Sequence, residues 1–104
     1  MLLTTQDRFE DHEIAVSLGI VKGNTIRARH IGKDIMAAIR NFVGGEVIEY
    51  TKLMAESREQ AQDRMVKAAE ELGANGITGI RFTSAAVMNS AAEILVYGTA
   101  VKLK

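Results

Sequence analysis

The sequence predicts an α+β fold, a small antiparallel β-sheet packed against helices in the order β-β-α-α-β-β. Three observations predict it. Residues 14–21 and 91–103 are rich in β-formers, and residues 46–72 contain neither glycine nor proline and carry apolar side chains at helical spacing. The stretch 65–82, MVKAAEELGANGITGIRF, changes from one period to the other around Gly73. At 104 residues the chain is one domain, 1–104.

Residues 1–5 form a short apolar piece that could add one strand, and residues 6–12 form a polar loop. From Glu13 the pattern alternates, with Ile14, Val16, Leu18 and Ile20 on one face and Ala15, Ser17, Gly19 and Val21 on the other. Gly23-Asn24 offers a tight turn or bend before residues 25–30 continue in β conformation, so a hairpin and a single bent strand both stay open. A first helix is expected from Asp34 as N-cap through Ile35, Met36, Ile39, Phe42 and Val43, stopped by Gly44-Gly45.

A long helix follows, because Val47, Tyr50, Met54, Ala61, Met65, Ala68 and Leu72 advance by three, four or seven. Lys52 with Glu56, Asp63 with Lys67, and Lys67 with Glu71 are spaced as i, i+4 pairs on its solvated face. Ser57-x-x-Gln60 also fits a capping box that would break this helix, although continuity is the expectation. Gly73 reads as the C-cap, since a residue at positive φ commonly ends a helix and glycine adopts it at little cost. Through Ala74-Asn75-Gly76 the chain then enters a hairpin of residues 76–88 and 91–103, with its turn at Asn89-Ser90.

The last strand is apolar on both faces, with Ile94 and Val96 on one and Leu95, Tyr97, Val101 and Leu103 on the other. A small antiparallel sheet normally keeps one face wet. Cover from another subunit, or closure into a barrel, is therefore expected. With 47% hydrophobic residues in so short a chain, apolar surface is left over for a partner.

Thirteen basic and thirteen acidic side chains cancel, which argues against nucleic acid as a partner. The N-terminus has neither a basic n-region nor a long apolar core, and no apolar run approaches a membrane span, so a cytoplasmic protein without membrane contact is expected. The absence of cysteine excludes a disulfide frame, thiolate metal ligation and a cysteine nucleophile.

Three constellations could carry chemistry. Asp11, His12 and Glu13, with Asp7 and Glu10 nearby, could hold a divalent ion across a subunit boundary, but their spacing matches no tight metal motif and solvated loop charges explain them more simply. Arg27, Arg29, His30 and Lys33, together with Arg40, are opposed only by Asp34 and could bind an anion near the start of the first helix. Interspersed charge for solubility is the plainer account of the same residues. Gly19, Gly44, Gly45, Gly73, Gly76, Gly79 and Gly98 form neither a dinucleotide fingerprint nor a phosphate loop. Gly19, Gly79 and Gly98 are expected to let neighbouring elements approach closely. With only His12 and His30 as histidines, and no nucleophile placed beside either, no acid–base pair stands out.

The run GGEVIEYTKLMAESREQAQDRMVKAAEELGANGITGIRF followed by EILVYGTAVK resembles the YbjQ family, a group with no assigned reaction that is also described as a "putative heavy-metal-binding domain". The resemblance spans nearly the whole chain, and its most specific pieces are Gly44-Gly45, Leu72-Gly73-Ala74-Asn75 with Gly79, and Tyr97-Gly98-Thr99-Ala100-Val101. Gly73, Asn75, Gly79 and Gly98, which fall in these pieces, are read as structural residues. The resemblance implies a dodecin-like subunit that joins copies of itself in a ring, a homopentamer with a barrel-like centre. The expected function is a homo-oligomeric protein without catalytic residues, whose subunit boundaries create any site for a small ligand or metal ion. The alternative is a small enzyme whose active site is assembled between subunits from His30 or a neighbour's carboxylate.

Overall fold

The computed structural model describes residues 1–28, 48–88 and 91–104, with side chains described for 1–26, 52–86 and 92–104. Its elements are β1 (Leu2–Leu3), β2 (Ile14–Ala28), α1 (Ile48–Glu71), β3 (Gly76–Met88) and β4 (Ala91–Leu103). The four strands form one sheet in the order β1-β3-β4-β2. The first helix expected around residues 34–43, its Gly44-Gly45 stop and the Asn89-Ser90 turn lie outside the described residues.

The sheet is mixed and not purely antiparallel. Strand β4 pairs antiparallel with both β2 and β3, whereas β1 runs parallel to β3 through Leu2 opposite Gly76 and Leu3 opposite Ile77. Leu2 N–H donates to the Asn75 carbonyl at 3.1 Å and Thr4 N–H to the Ile77 carbonyl at 3.1 Å, which fixes this register. A parallel partner requires a long crossover, and here everything between β1 and β3 supplies it.

Helix α1 is continuous over its 24 residues. The Ser57 hydroxyl donates to the Leu53 carbonyl at 2.9 Å, one turn back, and so does not cap a new helix. Ser57, Ala61, Met65 and Ala69 are fully buried. Their four-residue spacing makes a single ridge of mostly small side chains, which lets the helix come down onto the sheet. Leu72, expected on this face, is 48% exposed because the chain has already left the helix axis there. Lys52, Glu56, Asp63, Lys67 and Glu71 are exposed, and their i, i+4 spacing produces no ion pair; among the described residues the ion pair is Lys104 with Glu13, at 3.0 Å.

The ridge meets β2 at Gly23. A Cβ there would lie 2.0 Å from the Ala61 carbonyl oxygen and 2.5 Å from the Met65 nitrogen, so two backbones touch where only glycine fits. Gly23-Asn24 is accordingly no turn, and β2 runs through it as one strand of 15 residues. Val21, Ile94, Val96, Ala100, Ile77 and Ile80 complete the core under the helix.

At the end of α1, Gly73 has φ +82°. Its N–H donates to the Glu70 carbonyl at 2.9 Å, and Ala74 N–H donates to the Ala69 carbonyl at 3.0 Å. These two bonds make a Schellman motif that satisfies the last carbonyls, and Ala74 packs back on the core as that motif's hydrophobic contact.

Candidate functional site

Side chains alternate along β4 without interruption, so its even-numbered residues face the helix and its odd-numbered residues face away. The far face divides in two. At one end Val101 and Leu103 are buried, because the N-terminal loop brings Phe9 over them. A Cβ on Gly76 would stand 3.0 Å from Phe9 Cε2 and 3.2 Å from Leu103 Cδ1, which shows how closely loop and strand meet. Beyond the loop the face is open, with Ile20 at 80%, Ile26 at 57% and Tyr97 at 40% exposure.

Cross-strand pairing orders this open face into rows, since residues directly opposite share a face. Ile20 and Thr78 flank Thr99; Lys22 and Arg81 flank Tyr97; Asn24 and Thr83 flank Leu95; Ile26 and Ala85 flank Glu93. Asn24 Nδ2 donates to Glu93 Oε2 at 3.0 Å. One Arg81 Nη1 donates to the Thr5 carbonyl at 2.7 Å and the Ile80 carbonyl at 2.8 Å, which holds the guanidinium at the edge of the N-terminal loop.

Bulges set these rows. On β2 the register slips between Ile14 and Val16 and again between Ser17 and Gly19, and on β3 between Thr78 and Arg81. The strict alternation expected for residues 14–21 is therefore broken: Ser17 and Ile20 share the far face, while Gly19 and Val21 turn to the helix. Gly19 and Gly79 have φ +116° and +62°, and nothing lies within 4 Å of where a Cβ would stand on either, so they serve conformation and not close approach. Gly98 does serve close approach, since a Cβ there would lie 2.7 Å from Ile77 Cγ2 and 2.9 Å from the Thr78 carbonyl oxygen.

Asn75 holds the junction of three strands. Its side-chain oxygen accepts the Leu103 N–H at 2.7 Å, its N–H donates to the Val101 carbonyl at 3.1 Å, and its carbonyl accepts from Leu2. The acidic loop does not gather into a cluster. Asp7, Glu10, Asp11 and His12 are exposed, the Glu13 carboxylate lies 3.0 Å from Lys104 Nζ, and among the described residues no three of His, Asp and Glu are grouped to hold a metal ion. His12 instead sets its ring edge-on to Phe9 at 6.4 Å. In the basic group, the Arg27 backbone lies in β2 opposite Ala92, while its side chain and the whole of Arg29, His30 and Lys33 lie outside the described residues. Lys22, Arg81 and Ile20 were not singled out by their sequence, because their common face depends on where the bulges fall.

No described helix is long and apolar enough to cross a membrane. The family model for YbjQ, described as "Putative heavy-metal-binding", matches residues 1–104. A UPF0145 protein of Methanococcus vannielii is 55% identical over 104 residues, covering 100% of this chain and 99% of that one. A UPF0145 protein of Archaeoglobus fulgidus is 47% identical, covering 100% and 96% of the two chains. Among solved structures, a protein of unknown function of the DUF74 family from Pediococcus pentosaceus superposes with a TM-score of 0.67 at 17% identity, over 100% of this chain and 98% of that one. At that identity the likeness speaks for the fold alone.

Proposed function

The chain belongs to the YbjQ family, and from that premise we propose that it is a non-enzymatic homo-oligomeric subunit whose open sheet face is covered by further copies of itself. The number of copies, five in a ring, comes from the family resemblance. Any ligand site beyond one chain would form where subunits meet, and the sequence-based expectation of a cytoplasmic protein carries over unchanged.

The observation that carries this reading is Ile20, 80% exposed in mid-strand, with Tyr97 in the next row and Ile26 further along the same face. Each large apolar side chain left in water forfeits roughly 1.5 to 3 kcal/mol of burial, a sizeable share of a small domain's stability. The sheet's ends favour a copy of the same chain as the cover. Strand β1 pairs with only Gly76 and Ile77 of β3, so among the described residues 81–88 have no outer strand, and β2 has none at the opposite end of the sheet. Two unlike open edges on one chain suit head-to-tail closure into a ring. Sedimentation equilibrium tests the reading: a mass several times that of one chain supports it, and a folded monomer at low concentration contradicts it.

The family's metal description does not fit these residues. Soft heavy-metal ions favour thiolate and imidazole donors, whereas the chain has no cysteine and two histidines. Among the described residues no metal-holding group forms, and the Glu13 carboxylate is engaged by Lys104.

A further inference from the structure

We propose that the row formed by Lys22, Tyr97 and Arg81 on the open sheet face binds a phosphate-bearing small molecule. Tyr97 lies between the two cations, with Lys22 opposite it on β2 and Arg81 opposite it on β3. Two strand spacings separate the cations by about 10 Å at the backbone, and a ligand over the tyrosine ring would draw the Arg81 guanidinium in from the edge of the N-terminal loop, where the Thr5 and Ile80 carbonyls hold it. Arg81 Nη1 donates to the Thr5 and Ile80 carbonyls, and among the described residues its other N–H groups have no partner. Lys22 Nζ and the Tyr97 hydroxyl have no hydrogen-bond or ion-pair partner among the described residues.

The charge of the row is uncompensated. Its neighbours on the same face are Ile20, Asn24, Leu95, Thr99 and Thr83, none of them acidic. The nearest carboxylate on the face, Glu93, lies two rows away and accepts from Asn24. Two cations with a hydroxyl between them match the charge and the tetrahedral acceptors of a phosphate dianion better than they match a single carboxylate. Threonine hydroxyls in the adjoining rows add further donors.

Both cations reach this row through bulges. Had the register of Val16 and Ser17 continued along β2, Val21 would stand opposite Tyr97; the slip beside Gly19 puts Lys22 there. Had the register of Gly76 to Thr78 continued along β3, Ile80 would stand there; the slip at Gly79 puts Arg81 in its place. Each slip contains or adjoins a glycine at positive φ. Two separate irregularities thus exchange an aliphatic residue for a cation beside the same tyrosine, and bulges commonly re-aim side chains next to functional sites. The row is built within one chain; with the face covered as proposed above, a phosphate held there would lie in the interface and balance two cations that the cover would otherwise bury.

The test is titration of the full wild-type chain with inorganic phosphate by calorimetry at constant ionic strength, with acetate as control and circular dichroism to check folding. Saturable phosphate binding is expected, stronger than acetate binding, weakened about tenfold or more in Lys22→Met and in Arg81→Met and kept by Lys22→Arg. Tyr97→Phe, which removes one hydroxyl, should weaken it less. Absence of saturable binding by the folded wild type, or equal binding by both Met variants, overturns the proposal. Sedimentation of the same samples separates the two readings: a monomer that binds phosphate through this row supports the site and contradicts the assembly, and an oligomer that does not bind it overturns the site alone.

Discussion

The side-chain oxygen of Asn75 accepts the backbone N–H of Leu103 at 2.7 Å, tying the start of β3 to the end of β4 through a group that belongs to neither ladder. Asn75→Ala leaves that part-buried N–H without its acceptor. A loss of about 1–3 kcal/mol is expected, measured as a lower thermal midpoint with unchanged secondary structure.

Gly23→Ala should be more damaging than its single methyl suggests. The new Cβ would fall 2.0 Å from the Ala61 carbonyl oxygen and 2.5 Å from the Met65 nitrogen, and neither backbone atom can rotate away. Helix and strand must separate, so a cost of about 1–3 kcal/mol or more is expected in chemical denaturation. Wild-type stability in this variant would contradict the close approach.

Gly73 is constrained by its φ of +82° and not by space, since nothing lies within 4 Å of a Cβ there. Gly73→Asn should therefore be mild, whereas Gly73→Val should lower stability by about 1–3 kcal/mol, because a β-branched residue is strained in the left-handed region. Comparing the two melting temperatures checks this; equal midpoints would refute the Schellman cap.

Tyr97→Asp and Ile20→Asp should weaken assembly and folding together, because each would set a charge on the face expected to be covered. Were the face open, Ile20→Asp would have little effect, since that side chain is 80% exposed in the single chain. Its effect on mass at equal concentration separates a covered face from an open one.

Much of the fold was legible in the sequence because the signals were local. The helical run across residues 48–71, the cap at Gly73, and the strand pair Gly76–Met88 and Ala91–Leu103 each follow from period and glycine placement. What escaped was non-local. Gly23-Asn24 carries turn chemistry, but Gly23 is required by the helix that lies on it, a contact between residues 23 and 61 that no window along the chain contains. The parallel docking of Leu2–Leu3 made the sheet mixed for the same reason. The open face was half legible: Leu95 and Tyr97 were placed on the face away from Ile94 and Val96, as the register bears out, but Phe9 covers its far end and bulges bring Lys22 and Arg81 to its centre. The acidic loop looked like a donor set only while its residues were counted along the chain. Folded, Glu13 turns to Lys104 and His12 to Phe9.

If the open sheet face belongs to an interface between copies of this chain, the subunit should not persist as a folded monomer on dilution. Sedimentation equilibrium of the wild-type chain across a wide dilution series tests it most directly. One species several subunits in mass, losing its fold as it dissociates, is the predicted result. A chain that stays folded and monomeric throughout the series, with Ile20 and Tyr97 in water, would contradict it.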